Sequence, residues 1–314
     1  MGGMSSPDFE PLVRQIHDSP NRMVISLSGG GGETISELLS VAGASRTLLE
    51  AVVPYSQQAL CRWLAGRPDQ FCSARTARAM AMAGFLRACE YESPEGYPLA
   101  GVGATASLAT DRRKRGSHRI HLAIQTVGQT IVQSLRLVKD RRTRPQEESI
   151  ASGLILNLIA EVCGIDERVP LELFPEETIA REEKTAPSDW CDLLLGKTEA
   201  ILQGDPAPAA TPARALFSGA FNPLHVGHEK MAAVASELLG SRVDYEISIL
   251  NVDKPPLDYI EIGKRIDQFP LGQRIWLSRA PTFLEKSRLF PGVTFVVGID
   301  TLRRIAAPRY YRGS

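Results

Sequence analysis

The chain of 314 residues is poor in several things at once. Its five cysteines are scattered and none forms a C-x-x-C pair. That excludes a disulfide framework and points to a reducing, cytoplasmic setting. Aromatic residues make up only 6%. Net charge is absent, with 36 basic against 36 acidic side chains, so the basic excess of a nucleic-acid-gripping surface is missing. Apolar runs such as Gly153–Ile159 are too short to span a bilayer, and the start lacks the apolar core of a signal peptide. Neither nucleic acid nor membrane is expected as a partner. No cluster of His, Cys and carboxylates carries metal-ligand spacing.

What is present is a 43% hydrophobic chain, enough for proper cores, with a length that suggests two domains. Residues 8–17 read as an amphipathic helix, and Met23–Leu27 as a strand feeding Ser28 and four glycines. Ile35, Leu38 and Leu39 then recur at helical spacing. Further strands are expected at Thr47–Val53, His118–Gln125 and Gln129–Leu137, with helices at Ser73–Cys89 and Pro145–Cys163. Alternating strands and helices make this an α/β fold, three layers deep, over residues 1–165. Residues 166–212 are acidic and Pro-containing, and read as a linker holding one helix around Trp190–Leu202. After it, Arg214–Ser218 is a strand, followed by a Gly/Asn/Pro loop, a helix over Val226–Leu239, and strands at Tyr245–Leu250 and Thr294–Val297. This order predicts a Rossmann-like parallel sheet over 213–314.

The most informative segment runs Ser218-Gly219-Ala-Phe221-Asn222-Pro-Leu-His225-Val-Gly227-His228. Two of the five histidines stand three apart, at the end of a loop and in the first turn of a helix. A helix N-terminus carries unpaired N–H groups and a partial positive charge, which suits a phosphate. Imidazoles there can donate to phosphoryl oxygens as charge builds during transfer. Gly219 and Gly227 are expected to let the backbone approach a nucleotide.

This segment resembles the H-x-G-H nucleotidyltransferase superfamily, in particular the nicotinate or nicotinamide mononucleotide adenylyltransferases, whose opening reads G-x-F-(D/N)-P-x-H-x-G-H. The resemblance implies that His225 and His228 act on the triphosphate, and that Ser218, Gly219, Phe221, Asn222 and Gly227 form the nucleotide loop. It also implies a contribution from Gly298 and Asp300, in a strand ending like the family's G-x-D, and from Lys254 as a substrate-phosphate lysine. ATP is the implied substrate with Mg²⁺, and AMP passes to a pyridine mononucleotide. The family continues into a second phosphate-binding segment of the S-x-x-x-(I/V)-R type, so residues 213–314 are expected to be an incomplete domain. An adenylyl- or cytidylyltransferase for another phosphorylated acceptor stays open, because H-x-G-H does not fix the acceptor.

The first half carries a second resemblance, over about 8–163, to the CinA C-terminal domain family of nicotinamide mononucleotide deamidases. Its A-E-S-C-T-G-G, A-G-(A/S)-S and Y-S-(N)-x-x-K elements are similar to Ser26–Gly32, Ala42–Ser45 and Tyr55–Leu60. Its later G-I-A-G-P loop is similar to Gly101–Ala106. The resemblance implies a site at Ser28, Gly31, Gly32, Tyr55 and Thr105, a free glycine turn for a phosphate, and a possible homo-oligomer. Leu27 and Leu60 replace the family's glutamate and lysine, so ligand binding without hydrolysis is expected. A catalytically weak nucleotide-binding or regulatory protein is the alternative for the whole chain. Gly101-Val-Gly103-Ala-Thr-Ala106 also matches the loose G-x-G-x-x-A dinucleotide pattern.

Overall fold

A computed structural model describes residues 8–111, 115–204, 214–252 and 255–305. The chain divides into two compact units, 1–185 and 186–314. In the first, the elements run α1 (Glu10–Asp18), β1 (Arg22–Ser28), α2 (Gly32–Ser40), β2 (Leu48–Val52), α3 (Gln57–Trp63), α4 (Ala74–Tyr91), β3 (Leu99–Ser107), β4 (His118–Thr126), β5 (Gln129–Leu137), α5 (Arg144–Val162) and β6 (Ile179–Thr185). The sheet has the order β2-β1-β3-β4-β5-β6. Its first three strands are parallel and the rest antiparallel.

The main core lies where α1, α2 and α5 cover one face, around Leu12, Ile16, Leu27, Leu38, Leu122 and Ile155. The other face is built differently. A Cβ on Gly101 would stand 2.0 Å from the Ala81 carbonyl oxygen and 2.1 Å from the Phe85 nitrogen. One on Gly103 would stand 2.4 Å from the Ala77 oxygen and the Ala81 nitrogen. Helix α4 therefore lies backbone-to-backbone on β3, with Ala77, Ala81 and Gly84 facing the strand's glycines. This corrects both expectations for Gly101–Ala106. The segment is neither a loop nor a dinucleotide turn but the interior of a strand, and its glycines admit a helix.

The expected linker is also corrected. Residues 179–185 pair with β5 as an edge strand exposed along most of its length. Residues 188–203 belong to the second unit, as α6 (Ser188–Leu194) and β7 (Ala200–Gln203). The single helix expected at 190–202 is broken at Gly196, whose φ of 74° is left-handed.

Three histidines of the first unit are buried or half-buried, and burial lowers the pKa of two of them, His17 and His121. His17 accepts from Thr47 Oγ1 at Nδ1 (2.7 Å) and donates from Nε2 to the Leu38 carbonyl (2.9 Å). Burial lowers its pKa, against the opposing pull of that carbonyl. His121 bonds Ser134 Oγ at 2.8 Å, and burial, helped by the Arg119 charge, pushes it down to about 4. Folded, both rings stay neutral where the unfolded chain takes up protons. Stability is then complete above the ordinary value of 6.5 and is lost as pH falls from there toward about 4. Urea midpoints measured across this window should fall with pH, and His121→Gln should flatten the slope. An unchanged slope would exclude His121 as a source.

The second unit continues with β8 (Ala215–Ser218), α7 (Val226–Leu239), β9 (Val243–Ser248), α8 (Tyr259–Ile266), β10 (Ile275–Ser278), α9 (Phe283–Leu289), β11 (Thr294–Val296) and α10 (Ile299–Ile305). Its sheet order is β11-β8-β9-β10-β7, with β11, β8, β9 and β10 parallel and β7 antiparallel. From β8 the chain steps to β9 and β10, then returns to the far side of β8 as β11. The order therefore reverses between β8 and β11. In open α/β sheets, ligands bind outside the carboxyl ends of the strands at such a reversal. No helix among the described residues is long and apolar enough to cross a membrane.

Candidate functional site

The loop after β8 stands at this reversal. Its backbone is pinned from α8 and the residues just beyond it. Arg265 donates to the Ala220 carbonyl at 3.1 Å, and Gln268 Nε2 to the Phe221 carbonyl at 3.1 Å. Gln268 Oε1 accepts from the Leu224 N–H at 2.7 Å. Asn222 Nδ2 donates to Glu261 Oε1 at 3.1 Å, and Arg265 pairs with the same carboxylate at 2.9 Å. Asn222, expected in the nucleotide loop, thus gives a side-chain N–H to the brace. Phe221 takes a left-handed φ of 44° and buries its ring against Phe217, Tyr245 and Phe269. Gly219 makes room for it, since a Cβ there would lie 2.8 Å from the Phe221 ring.

The loop delivers His225 as the N-cap of α7 and His228 into its first turn. The two rings stack with centroids 3.7 Å apart and planes 24° off parallel. His228 Nδ1 accepts from the His225 backbone N–H at 3.2 Å. The neutral ring therefore carries its proton on Nε2, as a donor. Burial holds the His228 pKa below the usual range, and the neighbouring His225 charge lowers it further. Edge contacts with Phe221 (5.1 Å) and Phe217 (5.8 Å) fix the ring from behind.

Gly227 has a more local reason than approach to a nucleotide. A Cβ there would meet His225 Cε1 and Nδ1 at 3.0 Å. Gly227→Ala should raise the intrinsic helix propensity by about 0.5–1 kcal/mol while pushing the His225 ring off its seat. The ring stacking, read from the histidine NMR signals, should be lost although thermal stability does not fall. Unchanged ring signals in that variant would mean that Gly227 is not what seats the His225 ring.

Ser218 is buried at the end of β8, and its Oγ has no hydrogen-bond partner among the described residues. Gly298 precedes α10 and its carbonyl accepts from the Leu302 N–H at 3.0 Å. Asp300 lies in the first turn of α10. Because β11 pairs with β8, the structure brings these two segments to neighbouring strand ends. Lys254 lies outside the described residues. Sequence reasoning missed Glu261, Arg265 and Gln268, which stand about forty residues from the loop they hold.

The first unit's candidate residues also meet at strand ends. Ser28 and Thr105 are register partners on β1 and β3. The Ser28 hydroxyl donates to the Pro54 carbonyl at 3.1 Å, and Thr105 donates to the Phe71 carbonyl at 2.8 Å. Tyr55 is 68% exposed. Leu27 points into the main core and Leu60 packs with Leu64 and Met80. The expectation of a free glycine turn is corrected. Gly31 caps α2 in a left-handed conformation, but the Gly32 N–H donates to Glu148 Oε1 at 2.6 Å. Arg144, which sequence reasoning missed, ties that carboxylate to the turn by donating to the Gly29 carbonyl at 2.9 Å. Glu33 stands at the same helix end, its pKa raised by burial and by the charges of Glu37 and Glu148. The seat expected for a ligand phosphate is filled by the protein's own carboxylate in acidic surroundings. No cysteine is paired, and burial pushes the Cys89 thiol up to about 11.

No family model matches the sequence, and no curated protein does. Among solved structures the chain is similar to the competence/damage inducible protein CihA from Agrobacterium tumefaciens, with 19% identity and a TM-score of 0.40 over 51% of this chain and 99% of that one. It is similar to a CinA superfamily protein from Escherichia coli, with 15% identity and a TM-score of 0.38 over 52% and 94%. A CinA superfamily protein from Enterobacter cloacae gives 16% and 0.39 over 52% and 96%. The likeness extends over about half of this chain.

Proposed function

We propose that the second unit is a nucleotidyltransferase acting on a nucleoside triphosphate, with ATP and a pyridine mononucleotide as the favoured pair. The observation that carries this reading is the stacked His225–His228 pair at the N-terminus of α7, beside the strand-order reversal between β8 and β11. The helix end offers N–H groups and positive potential to the phosphates. His228, held neutral, donates from Nε2, while the exposed His225 ring lies over it. Both can strengthen their hydrogen bonds as negative charge builds on the oxygens around the reacting phosphorus. The acceptor's phosphate oxygen attacks the α-phosphorus in line, and the bond to the departing pyrophosphate breaks. No covalent intermediate on the protein is needed. Mg²⁺ is assigned to the triphosphate it accompanies.

For the first unit we infer a deamidase-like domain without hydrolytic turnover. Ser28 and Thr105 spend their hydroxyls on backbone carbonyls, Leu27 and Leu60 are core residues, and Glu148 occupies the turn. The Ser28 hydroxyl donates to a backbone carbonyl, which cannot take up its proton as a base would. Titrating Mg·ATP into the full chain while following amide and imidazole NMR signals tests the transferase reading. Saturable shifts at Gly219, Gly227, His225, His228 and Gly298 are expected. Shifts confined to the first unit would remove the basis for it.

A further inference from the structure

The face of the second sheet opposite Phe217 and Tyr245 carries two buried ion pairs. Toward the amino end, Asp244 pairs with Arg274 at 3.1 Å and accepts from Trp276 Nε1 at 3.1 Å. Toward the carboxyl end, Lys286 of α9 donates to both oxygens of Glu246, at 2.6 and 2.8 Å, and Ser278 Oγ adds a bond of 2.5 Å. Glu246 is completely buried and Lys286 is 5% exposed. Such pairs contribute little net stability over apolar residues of similar volume, because desolvation offsets the attraction. Their best-attested use is to fix a register.

We propose that the Glu246–Lys286 pair is a positioning element for the His225/His228 turn, an inference that rests on reading that turn as the reacting site. Glu246 is the register partner of Ser218, the last residue of β8. Its backbone carbonyl accepts from the Gly219 N–H at 3.0 Å, the first bond of the loop. Gly219 in turn sets where the Phe221 ring lies, and Phe221 backs His228. Clamping the Glu246 side chain from α9 and β10 therefore fixes the height at which the loop leaves the sheet. The Asp244–Arg274 pair stands further from the loop. Its register partner is Leu216, two residues back along β8, and it serves as an internal control.

The test replaces each pair by apolar residues in the full chain, as Glu246→Leu/Lys286→Met and Asp244→Leu/Arg274→Met. Side-chain ¹⁵N NMR of the histidines reads the tautomer of His228, and pyrophosphate release gives kcat and KM. Both variants should stay folded. Only the first should lose the Nδ1-acceptor signature of His228, with kcat about 100-fold lower at little-changed KM, the scale of a misplaced reacting group. An unaltered His228 signal in the first variant, or equal change in both, would overturn the proposal. Should the first variant not fold, Lys286→Arg keeps the charge and alters the reach. A displaced His228 signal is then expected, and an unmoved one overturns it. The NMR signature needs no turnover, so a wild-type protein that releases no pyrophosphate would defeat the transferase reading and still leave this inference decidable.

Discussion

Gly101→Ala should abolish the cooperative fold of the first unit, or lower its stability by about 3 kcal/mol or more, the upper end of overpacking effects. One methyl group would have to occupy space 2.0–2.1 Å from the backbone of Ala81 and Phe85. Backbone cannot swing aside as a long side chain can, so α4 would have to lift off β3. That helix also lies on β1 and β4, and its buried residues include Met80, Met82 and Phe85. Lifting it at one point opens the whole face. Gly128→Ala is the control, because nothing lies within 4 Å of a Cβ there. Urea unfolding followed by circular dichroism, with hydrogen exchange of the α4 amides, separates the two. A Gly101→Ala protein with wild-type protection in α4 would mean that the helix does not sit on the strand as described.

The second large effect is expected at His228. Removing a donor that strengthens its bond in the transition state typically lowers turnover by about 10²- to 10³-fold. His228→Ala should therefore lower kcat on that scale, with a much smaller change in ATP affinity. The ring also fills space against Phe217 and Phe221, so alanine leaves a gap in that cluster. His228→Gln fills more of it and can still donate from its side-chain amide. It should recover stability fully and turnover in part. Equal losses in both variants, tracking their melting temperatures, would show that the ring matters only for packing.

How much of this was legible in the residues depended on how local the cause was. The strand-loop-helix around His225 and His228 is specified within eleven positions, and the structure places those residues at the end of the loop and the start of the helix as expected. The strands at Met23–Leu27, His118–Gln125 and Gln129–Leu137 were legible from apolar, β-rich runs. Strand β3 was not, because glycines and alanines give no apolar alternation and read as turn or nucleotide loop. The feature that explains them, a helix backbone lying on the strand, comes from residues 77–85. Strand β6 was hidden for the opposite reason. Arg181, Glu182, Glu183 and Lys184 suit an edge strand that meets solvent, and without an apolar face they look like linker. The braces of the site were also out of reach. Glu261, Arg265, Gln268 and the Glu246–Lys286 pair act across 20 to 50 residues of sequence, where spacing carries no signal. The same holds for Glu148, which fills a turn 116 residues away and changes the reading of that turn from open to occupied.

Nucleotidyl transfer is proposed for the turn holding His225 and His228. Its most direct measurement incubates the full chain with Mg²⁺ and ATP labelled at the α-phosphorus, with a panel of phosphorylated acceptors that includes nicotinate and nicotinamide mononucleotides. The label should move into a dinucleotide with one acceptor of the panel, pyrophosphate should appear in equal amount, and both should vanish in the His225→Ala/His228→Ala variant. Label that stays in ATP with every acceptor, or transfer that persists in the double variant, would contradict the account.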